Sequence, residues 1–256
     1  MNWTKTSIVL LTTGYILNSI LPCTGVRGPA DLSLLVSFIL SVIFMLPFSK
    51  KIFLLPLLGS SIGFLFEYIG VNYGFPFGSY SYLRFEKFSF YGVPVPVIVA
   101  WGIYMYTCHL ASSYLIRGRG RIFVAPLLMV LLDMAIDPVM VENGAWKWRE
   151  SGIWFGIPIT NFLGWYTVSI TTFCLYFILS KEDMERAFSW HAYIPYLLSF
   201  LPILASAGQN SFIPACISFI FAIAILFWKS QQKTLKSLLL APQDSGVLHP
   251  DPDRKT

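Results

Sequence analysis

The sequence predicts an all-α membrane protein, a polytopic transmembrane helical bundle of about eight spans. Hydrophobic residues make up 55% of the 256 residues and charged residues only 12%, and the mean hydropathy is +0.65. A water-soluble domain of this length needs fewer apolar residues to fill its core. Aromatic residues, at 17%, suit a lipid-facing surface with interfacial belts. The chain is therefore expected to lie in a lipid bilayer.

Eight segments are apolar and close to the length of about 20 residues that crosses a bilayer. They cover residues 4–22, 30–48, 52–69, 93–115, 122–141, 159–180, 190–208 and 211–228. Because neither a repeat nor a separate soluble region is visible in the sequence, residues 1–228 are predicted to form a single transmembrane domain. Residues 229–256 begin with spaced lysines and end polar and proline-rich, which favours a partly disordered polar tail.

Basic residues predict the orientation of these spans. Eight spans put both termini on the same side of the membrane, and most of the 18 lysines and arginines lie on that side. The positive-inside rule then places both termini, and the tail, in the cytoplasm. We expect a multi-pass protein of the cell membrane. The net charge of +5 follows from this bias and gives no reason to expect nucleic-acid binding.

Three acidic side chains lie within these predicted spans. Glu67 is near the end of the third span, and Asp133 and Asp137 are in the last turns of the fifth. Their four-residue spacing puts both aspartates on one helix face. An acid in the hydrocarbon costs roughly 2.5–3.5 kcal/mol on insertion scales and usually marks function. The structural alternative is a hydrogen bond between helices or an ion pair with Arg84 or Lys147.

Two predicted outer loops adjoin these acids and share an unusual composition. They are GVNYGFPFGSYSYLRFEKFSFYGVP, which begins at Gly70, and ENGAWKWRESGIWFGIP, which begins at Glu142. Both combine glycine, proline and aromatic residues, which form tight turns and present large rings at the membrane interface. An aromatic belt would explain either loop alone. That both loops lie next to intramembrane acids favours a functional site.

Acids in an apolar, aromatic-lined site suit the hydration of an alkene. A carboxyl group away from water favours its protonated form, which can protonate an isolated carbon–carbon double bond. Aromatic faces stabilise the resulting carbocation, and a second carboxylate can orient or deprotonate the water that captures it. A metal site and a cofactor are not expected, because the four cysteines and three histidines are scattered along the chain.

Several uncommon segments follow one another in a specific order within roughly residues 59–166. They are Glu67 with GxxxGFPFGSYSY, then VPVPVIVAW, DMAIDPVMVENGAWKW and GIWFGIPITNFLGW. In these segments the chain resembles the carotenoid biosynthesis hydratases, which include bisanhydrobacterioruberin hydratase and the γ-carotene hydratases. The resemblance implies a membrane enzyme that adds water across the terminal double bond of an acyclic, or ψ, carotenoid end group and leaves a tertiary hydroxyl.

Candidate site residues follow from the physical argument and the resemblance together. Asp133 or Asp137 is expected to donate the proton, and the other aspartate or Glu67 to position water. Asn161, at the start of the sixth span, can hold the water or orient a carboxylate. The aromatic residues expected to bind the substrate are Tyr80, Tyr82, Trp101, Trp146, Trp148 and Trp165. The expected partners are an acyclic carotenoid, water, the bilayer and other enzymes of the carotenoid pathway.

Three other functions remain open from the sequence. DMAID also fits the D-x-x-x-D pattern with which UbiA-type membrane prenyltransferases hold Mg²⁺ and diphosphate, but the second acidic stretch, 181–186, is predicted on the opposite side of the membrane. A proton-coupled transporter also uses intramembrane acids, although the sequence shows no internal repeat. A scaffold within a pigment-synthesis complex would need no acids inside the membrane.

Overall fold

An α-helical bundle forms the protein, as the sequence predicts. The computed structural model describes residues 2–25, 28–84, 88–181 and 188–239. In this part of the chain, seven helices are long and apolar enough to cross a membrane. The first six are α1 (Trp3–Ile20), α2 (Gly28–Met45), α3 (Leu54–Tyr73), α4 (Val95–Leu115), α5 (Arg121–Glu142) and α6 (Ile159–Ser180). Two short helices, α7 (Ile194–Leu198) and α8 (Phe200–Ser206), precede the seventh long one, α9 (Phe212–Leu239).

The predicted span 190–208 is not one continuous helix. It consists of a 3-10 turn at Trp190–Tyr193 followed by α7 and α8, which are interrupted at Ser199. Pro202 causes the break, because proline has no N–H with which to bond the carbonyl of Leu198, four residues earlier.

This interrupted segment still runs from one end of the bundle to the other. At its start, the Phe188 N–H donates to the carbonyl oxygen of Ser113 in the last turn of α4, at 3.3 Å. Beyond its end, the Asn210 N–H donates to Glu142 Oε1 at the end of α5, at 3.0 Å. A short turn joins α4 to α5, so Ser113 and Glu142 lie at opposite ends of the bundle. We call the end that holds Glu142 the loop end.

The two glycine-rich loops pair with each other at the loop end. Antiparallel hydrogen bonds join β1 (Tyr80–Tyr82) to β4 (Trp146–Trp148), where the sequence predicts only turns. A second antiparallel pair, β2 (Ser89–Phe90) with β3 (Val93–Pro94), lies within the first loop. The β1–β4 pair closes the loop end over the helices that carry the acids.

Side-chain alternation gives the β1–β4 pair two different faces. Tyr80 stands opposite Trp148, and Tyr82 stands opposite Trp146. These four rings share the face that is turned towards the helices, whereas the intervening residues Ser81 and Lys147 are exposed. The pairing therefore collects four aromatic rings from two distant parts of the sequence.

Two glycines let further aromatic rings reach the space beneath this pair. A Cβ atom at Gly63 on α3 would overlap the ring of Trp101, and one at Gly164 on α6 would overlap the ring of Phe77. Both rings are almost completely buried, at 1% exposed. Helices α3, α4 and α6 therefore pack closely around rings that lie directly beside the acidic residues.

Candidate active site

Every site residue predicted from the sequence lies around one cavity at the loop end. The cavity measures about 40 Å³ and is bounded by α3, α4, α5, α6 and the β1–β4 pair. The predicted residues that line it are Glu67, Tyr80, Tyr82, Asp133, Asp137, Trp146, Trp148, Asn161 and Trp165. Trp101, the remaining one, contacts Glu67 and stacks on Trp165, with ring centroids 4.2 Å apart.

Glu67 forms one wall of the cavity and is held by three donors. Its Oε2 accepts hydrogen bonds from the hydroxyl groups of Tyr80, at 2.5 Å, and Tyr82, at 2.7 Å. Its Oε1 accepts one from the indole N–H of Trp101, at 3.1 Å. Burial and the neighbouring Glu67 carboxyl raise the pKa values of the Tyr80 and Tyr82 phenols well above the ordinary value for tyrosine. Both phenols therefore keep their protons and act as donors.

Asp133 and Asp137 lie on the cavity face of α5 and share a partner on α6. The Asn161 side-chain amide donates from Nδ2 to Oδ2 of each aspartate, at 2.6 Å in both cases. Asp137 Oδ1 also accepts the indole N–H groups of Trp146, at 2.5 Å, and Trp148, at 3.3 Å. The two tryptophans of β4 are therefore anchored to the helix that carries both aspartates.

One carboxylate oxygen differs from the other five in the cavity. Glu67 and Asp137 accept hydrogen bonds at both side-chain oxygens, whereas Asp133 accepts one at Oδ2 only. Asp133 is 0% exposed, and its Oδ1 has no hydrogen-bond partner in the part of the chain that the structure describes. A buried polar atom without a partner costs free energy. Asp133 lines the cavity, and its Oδ1 is the one oxygen of the three acids that lacks a partner among the described residues.

Ion pairs with basic residues do not explain these acids. Arg84 and Lys147, which the sequence offered as partners, are exposed. In the described part of the chain, the hydrogen bonds to Glu67, Asp133 and Asp137 come from neutral hydroxyl, indole and amide groups. A buried acid without a cation to balance it is expensive in a membrane, which points to function.

Glu142, the fourth acid of this region, has a structural role outside the cavity. Its carboxylate accepts the backbone N–H groups of Asn210, at 3.0 Å, and Ser211, at 2.9 Å, just before α9 begins. Such a carboxylate caps the free N–H groups at the start of a helix. Glu142 therefore ties the end of α5 to the start of α9.

Two residues that line the cavity, Phe77 and Val97, are not among those predicted from the sequence. Phe77 lies within the run GFPFGSYSY, so the resemblance contained it. Its ring contacts with Tyr80 and Trp101 and its close approach to Gly164 show where it lies. Val97 is in the first turn of α4. Its apolar surroundings in the sequence contain no signal that would have distinguished it from its neighbours.

The prenyltransferase pattern fits this geometry poorly. Both aspartates of D-x-x-x-D are bound by the Asn161 amide, and Asp137 is bound by two indoles as well. The second acidic stretch begins after α6, at the end opposite the cavity. There Lys51, three residues before α3 begins, donates from Nζ to the carbonyl oxygen of Leu179, at 3.0 Å. Residues 182–187 of that stretch lie outside the described residues.

The fold and the cavity together define a class: a multi-pass helical membrane protein with a buried acidic site under an aromatic cover. A family model described as carotenoid biosynthesis protein matches residues 30–225. The chain belongs to this family. The matched range contains every residue of the cavity, and it confirms the predicted role in carotenoid biosynthesis. Searches among curated proteins and among solved structures gave no match.

Proposed function

We propose that the protein is a carotenoid hydratase, which adds water across the terminal double bond of an acyclic carotenoid end group. One observation carries this proposal: Asp133 Oδ1 is buried, has no hydrogen-bond partner among the described residues and belongs to a residue that lines the cavity. An oxygen in this position can hold a proton and present it to a carbon–carbon double bond. The aromatic rings around it suit the cation that protonation produces.

The hydrogen bonds of the three acids support different roles for them. Donors directed at a carboxylate favour its ionised form. Glu67 and Asp137 each accept from three side-chain donors, whereas Asp133 accepts from Asn161 alone. Two negative charges on neighbouring aspartates also repel each other. Asp133 is therefore the neutral acid of the pair, and Asp137 is the carboxylate.

The reaction then needs one proton, held by the aspartate pair. The π electrons of the double bond take the proton from Asp133 Oδ1 and form a new C–H bond, which leaves a tertiary carbocation. A water molecule forms the C–O bond to that carbon and gives a proton to Asp137. Transfer of this proton back to Asp133 restores the starting state. The net change is the addition of one water molecule, and nothing is oxidised or reduced.

The cavity provides what this sequence of steps requires. At about 40 Å³ it has room for a few water molecules, each of which needs roughly 10–15 Å³. The rings of Tyr80 and Trp148, with centroids 5.1 Å apart, line the cavity together with Glu67 and both aspartates. An aromatic face and a carboxylate both stabilise a positive charge in a site from which bulk water is excluded.

We also propose how the site is oriented in the membrane. Seven apolar helices suit a multi-pass protein, and the bias of basic residues supports a cell-membrane location with both termini in the cytoplasm. The loop end and its cavity then face away from the cytoplasm. The carotenoid is drawn from the bilayer, and other enzymes of the pathway supply it.

Expression in a host that accumulates an acyclic carotenoid tests the hydratase proposal. We expect a pigment heavier by one water molecule, and growth in ¹⁸O-labelled water should put the label into the new hydroxyl group. A host that expresses the Asp133→Asn variant at the same level is the matched control and should keep the unmodified pigment. Oxygen derived from O₂, or an unaltered pigment profile with several acyclic carotenoids, would contradict the proposal.

A further inference from the structure

The cavity is too small for the substrate in the conformation described. A volume of about 40 Å³ suits a few water molecules but not a branched alkene end group with the polyene attached to it. Part of the wall must therefore move before the end group can reach Asp133. The residues that line the cavity without being fully buried are the ones that can provide this opening, and they include Tyr82, Val97, Trp146 and Trp165.

Trp165 is the least anchored of the tryptophan and tyrosine residues around the cavity. The indole N–H groups of Trp101, Trp146 and Trp148 all donate to buried acids. Tyr82 is likewise held by Glu67. For Trp165 the described contact is the stack on Trp101, at 4.2 Å. A stacked ring held by no hydrogen bond to an acid can change its rotamer at a lower cost than the others can.

The partial exposure of Trp165 indicates an opening in the bundle. Trp165 lies on the buried face of α6, because the residues one turn before and after it, Asn161, Val168 and Ser169, are all buried. Trp165 itself is only partly buried. It lies six residues into α6, about 9 Å below the start of the helix at 1.5 Å per residue. At that depth the adjoining medium is hydrocarbon, not water.

We propose that Trp165 and Val97 form a lateral entrance through which the apolar end group reaches Asp133 from the bilayer. Trp165 moves off Trp101 to admit the end group, and the adjoining part of the polyene follows it between the helices while the far end stays in the lipid. Water enters separately at the loop end, beside Tyr82 and Trp146, which are the partly exposed lining residues of the β1–β4 pair. This assignment rests on the proposed hydratase function and specifies how that site receives its two substrates.

A bulky side chain at Val97 tests the entrance. In lipid vesicles that contain the acyclic carotenoid, we expect Val97→Trp to lower kcat/KM by about tenfold or more, since small displacements of a bound substrate already cost up to about 100-fold. Ile98→Trp, the same change at the next position of α4, is the matched control. Ile98 does not line the cavity, so its variant should stay within about twofold of the unmodified protein.

Binding of the polyene gives a readout that does not depend on turnover. The shift of the carotenoid absorption band on binding should appear more slowly with Val97→Trp and faster with Trp165→Leu than with the unmodified protein. Gel filtration checks that the variants are folded. If Val97→Trp does not fold, Val97→Phe places a smaller ring at the same position and should show the same slowing to a lesser degree.

The outcomes separate the entrance from the hydratase chemistry. Binding that is slowed only at Val97, without any hydroxylated product from the unmodified protein, would support the entrance and refute the proposed reaction. Normal hydration and normal binding rates in a folded Val97→Trp or Val97→Phe variant would overturn the entrance and leave the proposed reaction standing. Equal losses in Val97→Trp and Ile98→Trp would also overturn it, because the effect would then not depend on the cavity.

Discussion

Two buried polar clusters in this bundle differ in whether all their polar atoms have partners. Between α1, α2 and α4, the hydroxyl groups of Ser7, Ser41 and Tyr106 bond to one another at 2.8–3.2 Å. Around the cavity, Asn161 joins Asp133 to Asp137, yet Asp133 Oδ1 has no partner among the described residues. Every hydroxyl group of the first cluster has a partner within the cluster, whereas the second cluster contains one oxygen that a ligand could bond.

This difference distinguishes a buried polar cluster that stabilises the fold from one that is expected to serve function. Neutral hydroxyl groups that satisfy one another join helices at little cost and need nothing else from the protein. Carboxyl groups in a membrane are expensive even when they are hydrogen-bonded, and an unpaired oxygen adds to that cost. Substitutions in the acid cluster, which has both of these energetic costs, are therefore expected to lower activity. Substitutions in the hydroxyl cluster are expected to lower stability only.

Asp133→Asn should have the largest effect, because it removes the proposed proton donor. We expect product formation to fall by about 10²–10⁴-fold, the usual contribution of a general acid. The asparagine can keep the hydrogen bond from Asn161, so the thermal unfolding temperature should change little. The measurement is hydroxylated product per mole of folded protein. Full activity in this variant would show that Asp133 is not the acid.

The sequence predicted the acidic half of the site because helices have a regular period. Spacing of four residues placed Asp133 and Asp137 on one face of α5, and the adjoining loops marked the end of the bundle where Glu67 also lies. The resemblance placed the aromatic residues in the same region. All of these residues do surround one cavity, while their chemical roles stay predictions.

The contacts between the loops could not be read from the sequence. Strands β1 and β4 are three residues long and lie more than 60 positions apart, so alternation of side chains gave too weak a signal to pair them. The hydrogen bonds from Trp146 and Trp148 to Asp137 depend on that pairing. Pro202, by contrast, was a visible signal for the interruption between α7 and α8.

Glu67→Gln should have an intermediate effect and tests whether the cavity needs a third carboxylate, the one on α3. The glutamine side chain has one acceptor oxygen for the three donors Tyr80, Tyr82 and Trp101, and its NH₂ group faces donors. We expect a loss of about 1–3 kcal/mol in the free energy of unfolding together with reduced hydration. Thermal unfolding in detergent and product analysis measure the two effects.

Glu142→Gln is the matched control for this change, because it alters an exposed glutamate that caps α9 and lies outside the cavity. It should leave hydration unchanged. If Glu67→Gln also retained full activity and stability, the three donors would not require an ionised partner, and the electrostatic role given to Glu67 would be wrong.

Ser41→Ala should have the smallest effect and tests the other side of the comparison. It removes one hydroxyl group from the complete cluster, while Ser7 and Tyr106 remain within 3.0 Å of each other. Hydrogen bonds between membrane helices contribute about 0.6 kcal/mol on average, so a slight loss of thermal stability is expected without any change in hydration. A fall in activity as large as that of Asp133→Asn, in a folded Ser41→Ala variant, would mean that a fully satisfied hydroxyl cluster also serves the reaction.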